Sequence, residues 1–149
     1  MEPIKPTLVL DPSWEMVDGP YNPPAFMKKG RANNNAFQIS SAWNDGGKSL
    51  GKSITTEVLA RDLVVRRLNG VPLREYTGRC RYGEFTSVIF SAQTFAHCQV
   101  WCVSNGIHII SATFICDWPP TQEELEEVEG MALSLHFKEP LPKTKRWWL

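Results

Sequence analysis

Asn105-Gly106 stands between two apolar runs, His97–Val103 and Ile107–Cys116, and constrains the fold more than any other feature of the chain. Asn-Gly favours a type I′ hairpin turn, which needs positive φ at both central residues. A two-residue loop pairs Ser104 with Ile107 and fixes the remaining register, setting Cys102 opposite Ile109, Trp101 opposite Ile110 and Cys98 opposite Thr113. The second strand is apolar at both parities: His108, Ile110, Ala112, Phe114 and Cys116 point one way, and Ile107, Ile109 and Ile115 the other. A strand of that kind is central, with a layer on each side of its sheet. Asp117-Trp118-Pro119-Pro120 ends it, and Thr121 with Glu124 then reads as a capping box. Leu125, Val128, Ala132 and Leu135 fall on one helical face. Glu123, Glu124, Glu126, Glu127 and Glu129 crowd the N-terminal half, where the helix dipole favours acids, and read as a solvated face.

The rest of the chain falls into short segments. Strands are predicted over Thr7–Asp11, Trp14–Asp18, Ala25–Lys29 and Ala36–Trp43. The last alternates, with Phe37, Ile39, Ser41 and Trp43 on one side. Ile54–Leu68 reads as a helix with Ile54, Val58, Val65 and Leu68 toward the core and Arg61, Arg66 and Arg67 off that face. Asn69-Gly70 is its stop signal, and Pro72 lies just beyond. Strands follow over Leu73–Tyr82 and Phe85–Gln93. Strand runs joined by hairpin turns, with few helices, predict an α+β fold. Its antiparallel sheet has about six or more strands and two main helices, one for each face. With 149 residues, 42% of them hydrophobic, the chain reads as a single domain. Residues 1–6 form a loose lead-in, 7–137 a core, and 138–149 a Pro/basic/Trp tail.

The formal net charge is zero, so no overall field draws the chain to nucleic acid or to an anionic membrane. The N-terminus Met-Glu-Pro-Ile-Lys-Pro lacks an apolar leader, and no run has transmembrane length, so a cytoplasmic place is expected. Cys98 and Cys102 lie four apart on one strand, roughly 13 Å, too far for a disulfide or a shared zinc. With Cys80 and Cys116 they read as free thiols. His97 and Cys98, adjacent on a strand, point to opposite faces and cannot act as a pair. No carboxylate pair, triad order or metal spacing stands out, so no catalytic residue, metal or cofactor is assigned.

Gly46-Gly47-Lys48-Ser49-Leu50-Gly51-Lys52-Ser53 satisfies the phosphate-loop pattern, with Gly46, Gly51, Lys52 and Ser53 at its defining positions. A strand precedes it and a helix follows. The preceding strand alternates, however, where a phosphate-loop strand is continuously apolar, and Asn44-Asp45 lengthens the connection. The chain also lacks the βαβ alternation of a nucleotide-binding sheet. The segment is therefore expected to be a polar loop ahead of the first helix.

In its order of elements the chain resembles the PsbP-like superfamily. The resemblance rests on Leu8-Val9-Leu10-Asp11-Pro12-Ser13-Trp14, on Ala36-Phe37-Gln38-Ile39-Ser40, and on the helix from Ile54. It rests also on Ile109-Ile110-Ser111-Ala112-Thr113-Phe114 leading to a final helix with Glu127-Val128, Met131-Ala132 and Ser134-Leu135. It implies an α/β/α sandwich around an antiparallel sheet and a protein that binds other proteins rather than an enzyme. No functional residue carries over with it.

The expected function is a non-enzymatic, cytoplasmic protein-binding or accessory (immunity-type) module, with a protein partner and no nucleic acid or membrane; a homo-oligomer is not indicated. Arg61, Arg66, Arg67, Trp147 and Trp148 are the expected partner surface. A nucleotide-binding protein using Gly46–Ser53, and a small-ligand binder with a pocket between sheet and helix, are the alternatives. Millimolar Mg-ATP or Mg-GTP is expected to leave the melting temperature of wild type and Lys52→Ala unchanged. A rise of about 5–10 °C that disappears in Lys52→Ala would instead make the loop a phosphate cradle.

Overall fold

The computed structural model describes residues 5–17, 24–30, 34–44, 55–106 and 108–138. Its elements run β1 (Lys5–Thr7), β2 (Trp14–Met16), β3 (Ala25–Lys28), β4 (Ala36–Asn44), α1 (Thr56–Asp62), β5 (Val71–Cys80), β6 (Gly83–Ser91), β7 (His97–Ser104), β8 (His108–Cys116), α2 (Gln122–Leu133) and β9 (His136–Lys138). Seven strands form one antiparallel sheet in the order β2-β3-β4-β8-β7-β6-β5, and β1 pairs with β9. Every residue of β8 except Ile115 is buried. The strand that is apolar at both parities is thus central, between β4 and β7.

Each face of the sheet has its own helical cover. Val128, Met131 and Ala132 of α2, with Leu135 beyond it, pack on Phe37, Ile39, Trp101, Ile110 and Phe114. Ala60 of α1 and Val64 just after it pack on Val88, Phe90, Cys98, Val100 and Cys102. Alternation along β7 sends Trp101 and Val103 to the first core and Val100 and Cys102 to the second. The architecture is the α/β/α sandwich that the sequence leads one to expect. None of the four cysteines is in a disulfide, and burial pushes the Cys102 thiol up to about 12.

The β7–β8 register differs from expectation by two residues. Ser104 pairs with Ile109, Trp101 with Ala112 and Cys98 with Ile115. The closing rung is Asn105 with His108. The Asn105 N–H donates to the His108 carbonyl at 3.3 Å, and Asn105 Oδ1 accepts from the His108 N–H at 2.8 Å. The positive φ of +92° falls on Gly106, not on Asn105. A slip of two preserves parity, so every side chain keeps its expected face.

The first helix presents a different face from the one its sequence suggests. Thr55 caps it, Oγ1 accepting from the Val58 N–H at 3.2 Å, and after Asp62 it widens into a π-helical turn, Leu63–Arg67. Thr56, Ala60 and Val64 are buried with Leu59, Leu63 and Leu68 beside them, whereas Val58 and Val65 are 54% and 53% exposed. The stripe 56, 59, 60, 63, 64, 68 steps by three and four. It brings more apolar surface to the sheet than 58 and 65 do. Asn69 ends the turn at φ +52°. Gly70 follows, where a Cβ would collide with the Phe90 ring.

Three smaller expectations shift as well. The first strand is Lys5–Thr7, not Thr7–Asp11. It lies partly in the segment read as a lead-in, and its partner β9 includes Lys138 from the segment read as tail. The alternation of β4 is broken by a bulge between Ile39 and Ser41. The acids of α2 are not all solvated. Glu124 is buried in the capping box, and Glu127 and Glu129 make tertiary hydrogen bonds. Gly46–Ser53, Trp147 and Trp148 lie outside the described residues.

Glu127 ties α2 to the β2–β3 side of the sheet. Its carboxylate accepts from Ser13 Oγ at 2.7 Å, Lys28 Nζ at 2.8 Å and Trp14 Nε1 at 3.3 Å. Burial pushes its pKa up, but these three donors together outweigh burial and the net shift is downward from the ordinary 4.5. A carboxylate with a depressed folded pKa stabilises fully above its unfolded value and loses that contribution as pH falls through the folded one. The melting temperature is therefore expected to drop as pH is lowered past 4.5, and Glu127→Gln to flatten that drop; an unchanged acid limb in the variant would assign it to other groups.

At the start of α2, Thr121 Oγ1 accepts from the Glu124 N–H at 3.1 Å, and Glu124 Oε1 accepts from the Thr121 N–H at 3.2 Å. Thr121→Ala removes the forward bond and is expected to cost about 1 kcal/mol, read from the urea midpoint at constant slope. No shift in that midpoint would mean that the cap does not hold the helix.

Candidate functional site

Polar side chains are buried on the face of the sheet that α2 covers. Two cross-strand rows run over β5, β6, β7 and β8 there: Arg74-Ile89-Gln99-Phe114 and Tyr76-Ser87-Trp101-Ala112. Gln99 and Ser87 are only 4% and 0% exposed. A bulge decides who occupies the first row. Pro72 pairs with Phe90, the register gains a residue, and Arg74 pairs with Ile89, leaving Leu73 exposed. Without that extra residue Leu73 would take Arg74's place.

These polar groups form one directed hydrogen-bond chain. Ser87 Oγ donates to the Val100 carbonyl at 3.0 Å, so toward Gln99 Nε2, 2.8 Å away, it is an acceptor. The amide is thereby oriented, with its Oε1 toward His97 Nε2 at 3.0 Å, and that ring nitrogen must carry the proton. Gln99 Nε2 also donates to the Tyr76 hydroxyl at 2.9 Å. Tyr76 donates to Glu129 Oε2 at 2.8 Å, and Trp101 Nε1 donates to the same oxygen at 2.8 Å. Burial, more than any single bond, pushes the Tyr76 phenol above its ordinary value and keeps it a donor.

Against this wall, between α2 and β5–β7, is a cavity of about 410 Å³ whose rim includes Arg74, Gln122, Leu125 and Glu126. A second, of about 400 Å³, is lined by Val9, Arg81, Tyr82, Gly130, Leu133 and His136. Glu129 borders the first and Gly130 the second, so the two lie end to end along one flank of α2. The wall opposite α2 at the first cavity is β5, an edge strand of ten residues that pairs only with β6 among the described residues, and at the second it is the Arg81-Tyr82 turn that follows β5.

The arginines expected at a partner surface lie on the other side of the sheet. Arg61, Arg66 and Arg67 are exposed on α1 and its π-turn. Arg61 grips Glu75 Oε2 through Nε at 2.9 Å and Nη2 at 2.6 Å, and Arg66 pairs with Asp62 at 3.0 Å. Among the described residues, no three His, Cys, Asp or Glu side chains gather as metal ligands, and no helix is long and apolar enough to cross a membrane. Sequence reasoning names Val9, His97, Leu125, Glu126 and Glu129 but gathers none of them into a site. The available signals were Ser87 and Gln99 inside apolar strands, and Gly130 inside a helix.

No family model matches the chain, and no curated protein matches it in sequence. Its structure is similar to the solution structure of cyanobacterial PsbP (CyanoP) from Synechocystis sp. PCC 6803. The TM-score is 0.55 at 10% identity, over 91% of this chain and 94% of that one. At such low identity the likeness is one of fold. The chain has a PsbP-like fold.

Proposed function

We propose that this protein is a non-enzymatic accessory module that holds an extended segment of a partner protein in the groove between α2 and β5. The observation that carries this reading is the pairing of a long edge strand with two cavities on its α2 side. An edge strand offers backbone N–H and C=O groups to an added strand, and cavities beside it receive alternate side chains. The wall behind the first cavity is rigid, because each link of its chain from His97 to Glu129 is satisfied. A wall ordered in advance lowers the entropic cost of binding. Its polar groups are engaged with one another: the Ser87 hydroxyl donates to a main-chain carbonyl and the Tyr76 hydroxyl to Glu129. That arrangement favours binding over nucleophilic catalysis.

Gly130 supports the same reading. A glycine inside a helix costs about 1 kcal/mol relative to alanine. A Cβ at this position would meet nothing within 4 Å, so packing does not demand glycine. The missing side chain leaves the second cavity open.

A photo-crosslinking amino acid placed at Arg74 or at Gly130, in cells that naturally produce the protein, is expected to yield a discrete protein adduct. The same group at Arg66, across the sheet, is expected to yield none. Adducts at Arg66 alone, or equally at all three positions, would move the partner surface to α1 or remove it from the groove.

A further inference from the structure

The two cavities differ in chemistry, and β5 fixes how a bound strand could address both. The first carries two carboxylates, Glu126 and Glu129, against one guanidinium, Arg74. Among the described residues, the second has no acid in its lining. It joins the apolar surfaces of Val9, Tyr82 and Leu133 over the bare backbone of Gly130, with Arg81 and His136 at its border. Cationic groups are thus favoured at the first and disfavoured at the second.

Side chains of a strand added to β5 alternate between the two faces of the sheet, so only every second residue points toward α2. Measured along β5 the cavities are roughly 13 Å apart or slightly more, from Tyr76 to the strand's end at Cys80, where the Arg81-Tyr82 turn borders the second. Measured along α2, from the Leu125–Glu126 turn to the Leu133 turn, they are roughly 10 Å apart. Four or six residues of extended chain, at about 3.3 Å each, cover that range with even parity.

We infer that the groove selects an extended partner segment with one bulky apolar side chain seated over Gly130 and one Lys or Arg at Glu126 and Glu129, four or six residues away. The inference rests on the groove reading above and adds to it the chemistry and spacing of the partner. Charge complementarity sets the direction of the segment, because the Arg81 guanidinium disfavours a basic residue at the second cavity.

The test is selection of random peptides of roughly 12 residues, about 40 Å when extended, displayed on phage against the immobilised full chain. Fluorescence anisotropy of the enriched peptides, made synthetically, follows. The expected sequences pair Trp, Phe, Leu or Met with Lys or Arg at even spacing. Their affinity is expected to fall about tenfold or more in Gly130→Trp, which fills the second cavity, and in Glu126→Lys, which reverses charge at the first. Arg66→Ala serves as the unaffected control. Glu126 is an exposed helix position, so its variant keeps the test valid if Gly130→Trp does not fold. Peptides that lose binding in the groove variants but show no basic–apolar pair, or show odd spacing, overturn this inference and leave the groove reading standing. Peptides indifferent to both variants, or no enrichment at all, overturn both.

Discussion

Burial of β8 on both faces is the constraint from which the other elements take their places. A strand with apolar side chains at both parities cannot lie at an edge or under a single layer without exposing half of them. It therefore sits between β4 and β7, and each face must be closed by something apolar. The α2 layer closes one with Val128, Met131, Ala132 and Leu135, and the α1 layer closes the other with Ala60 and Val64. Two cores that share one sheet follow from that single strand.

Two covers of unequal extent leave unequal borders. The α2 side reaches toward β2 and β3 through Glu127, which gathers donors from Ser13, Trp14 and Lys28. It reaches toward β5 and β7 through Glu129, which gathers Tyr76 and Trp101. Two residues apart on the helix, these acids point to opposite flanks and fix the helix axis across the sheet like a pair of stays. The Glu129 side stays open enough to hold two cavities, because Gly130 contributes no side chain there and the bulge at Leu73 turns that residue away.

Buried Ser87 and Gln99 would weaken an apolar core if left unsatisfied, at roughly 1–3 kcal/mol for each unmet group. Their bonds close instead into a single directed chain, anchored at one end by a main-chain carbonyl and at the other by a carboxylate. A satisfied network of this kind gives a wall of one shape rather than several. The Arg66–Asp62 pair on the α1 side lies in solvent, and such pairs contribute little to stability; the Arg61–Glu75 pair is exposed only at its arginine.

Local chemistry alone determined the hairpin between β7 and β8, the central place of β8, the capping box at Thr121 and the core face of α2. Each depends on residues within a few positions of one another, where periodicity and turn preferences decide. Parity is also local, so Trp101 and Cys102 were assignable to opposite faces even though the register slipped by two. Tertiary structure decided the rest. Asn105 could close the hairpin with its side chain as readily as occupy the turn, and only the partner strand selects between these. The sequence suggested one apolar stripe of the first helix, through Val58 and Val65, and only the shape of the sheet beneath chose Ala60 and Val64 instead. The groove was least legible of all. Arg74, Tyr76, Ser87, Gln99 and Glu129 come from four separate elements, and nothing local links residues that meet only when β5, β6 and β7 pair under α2.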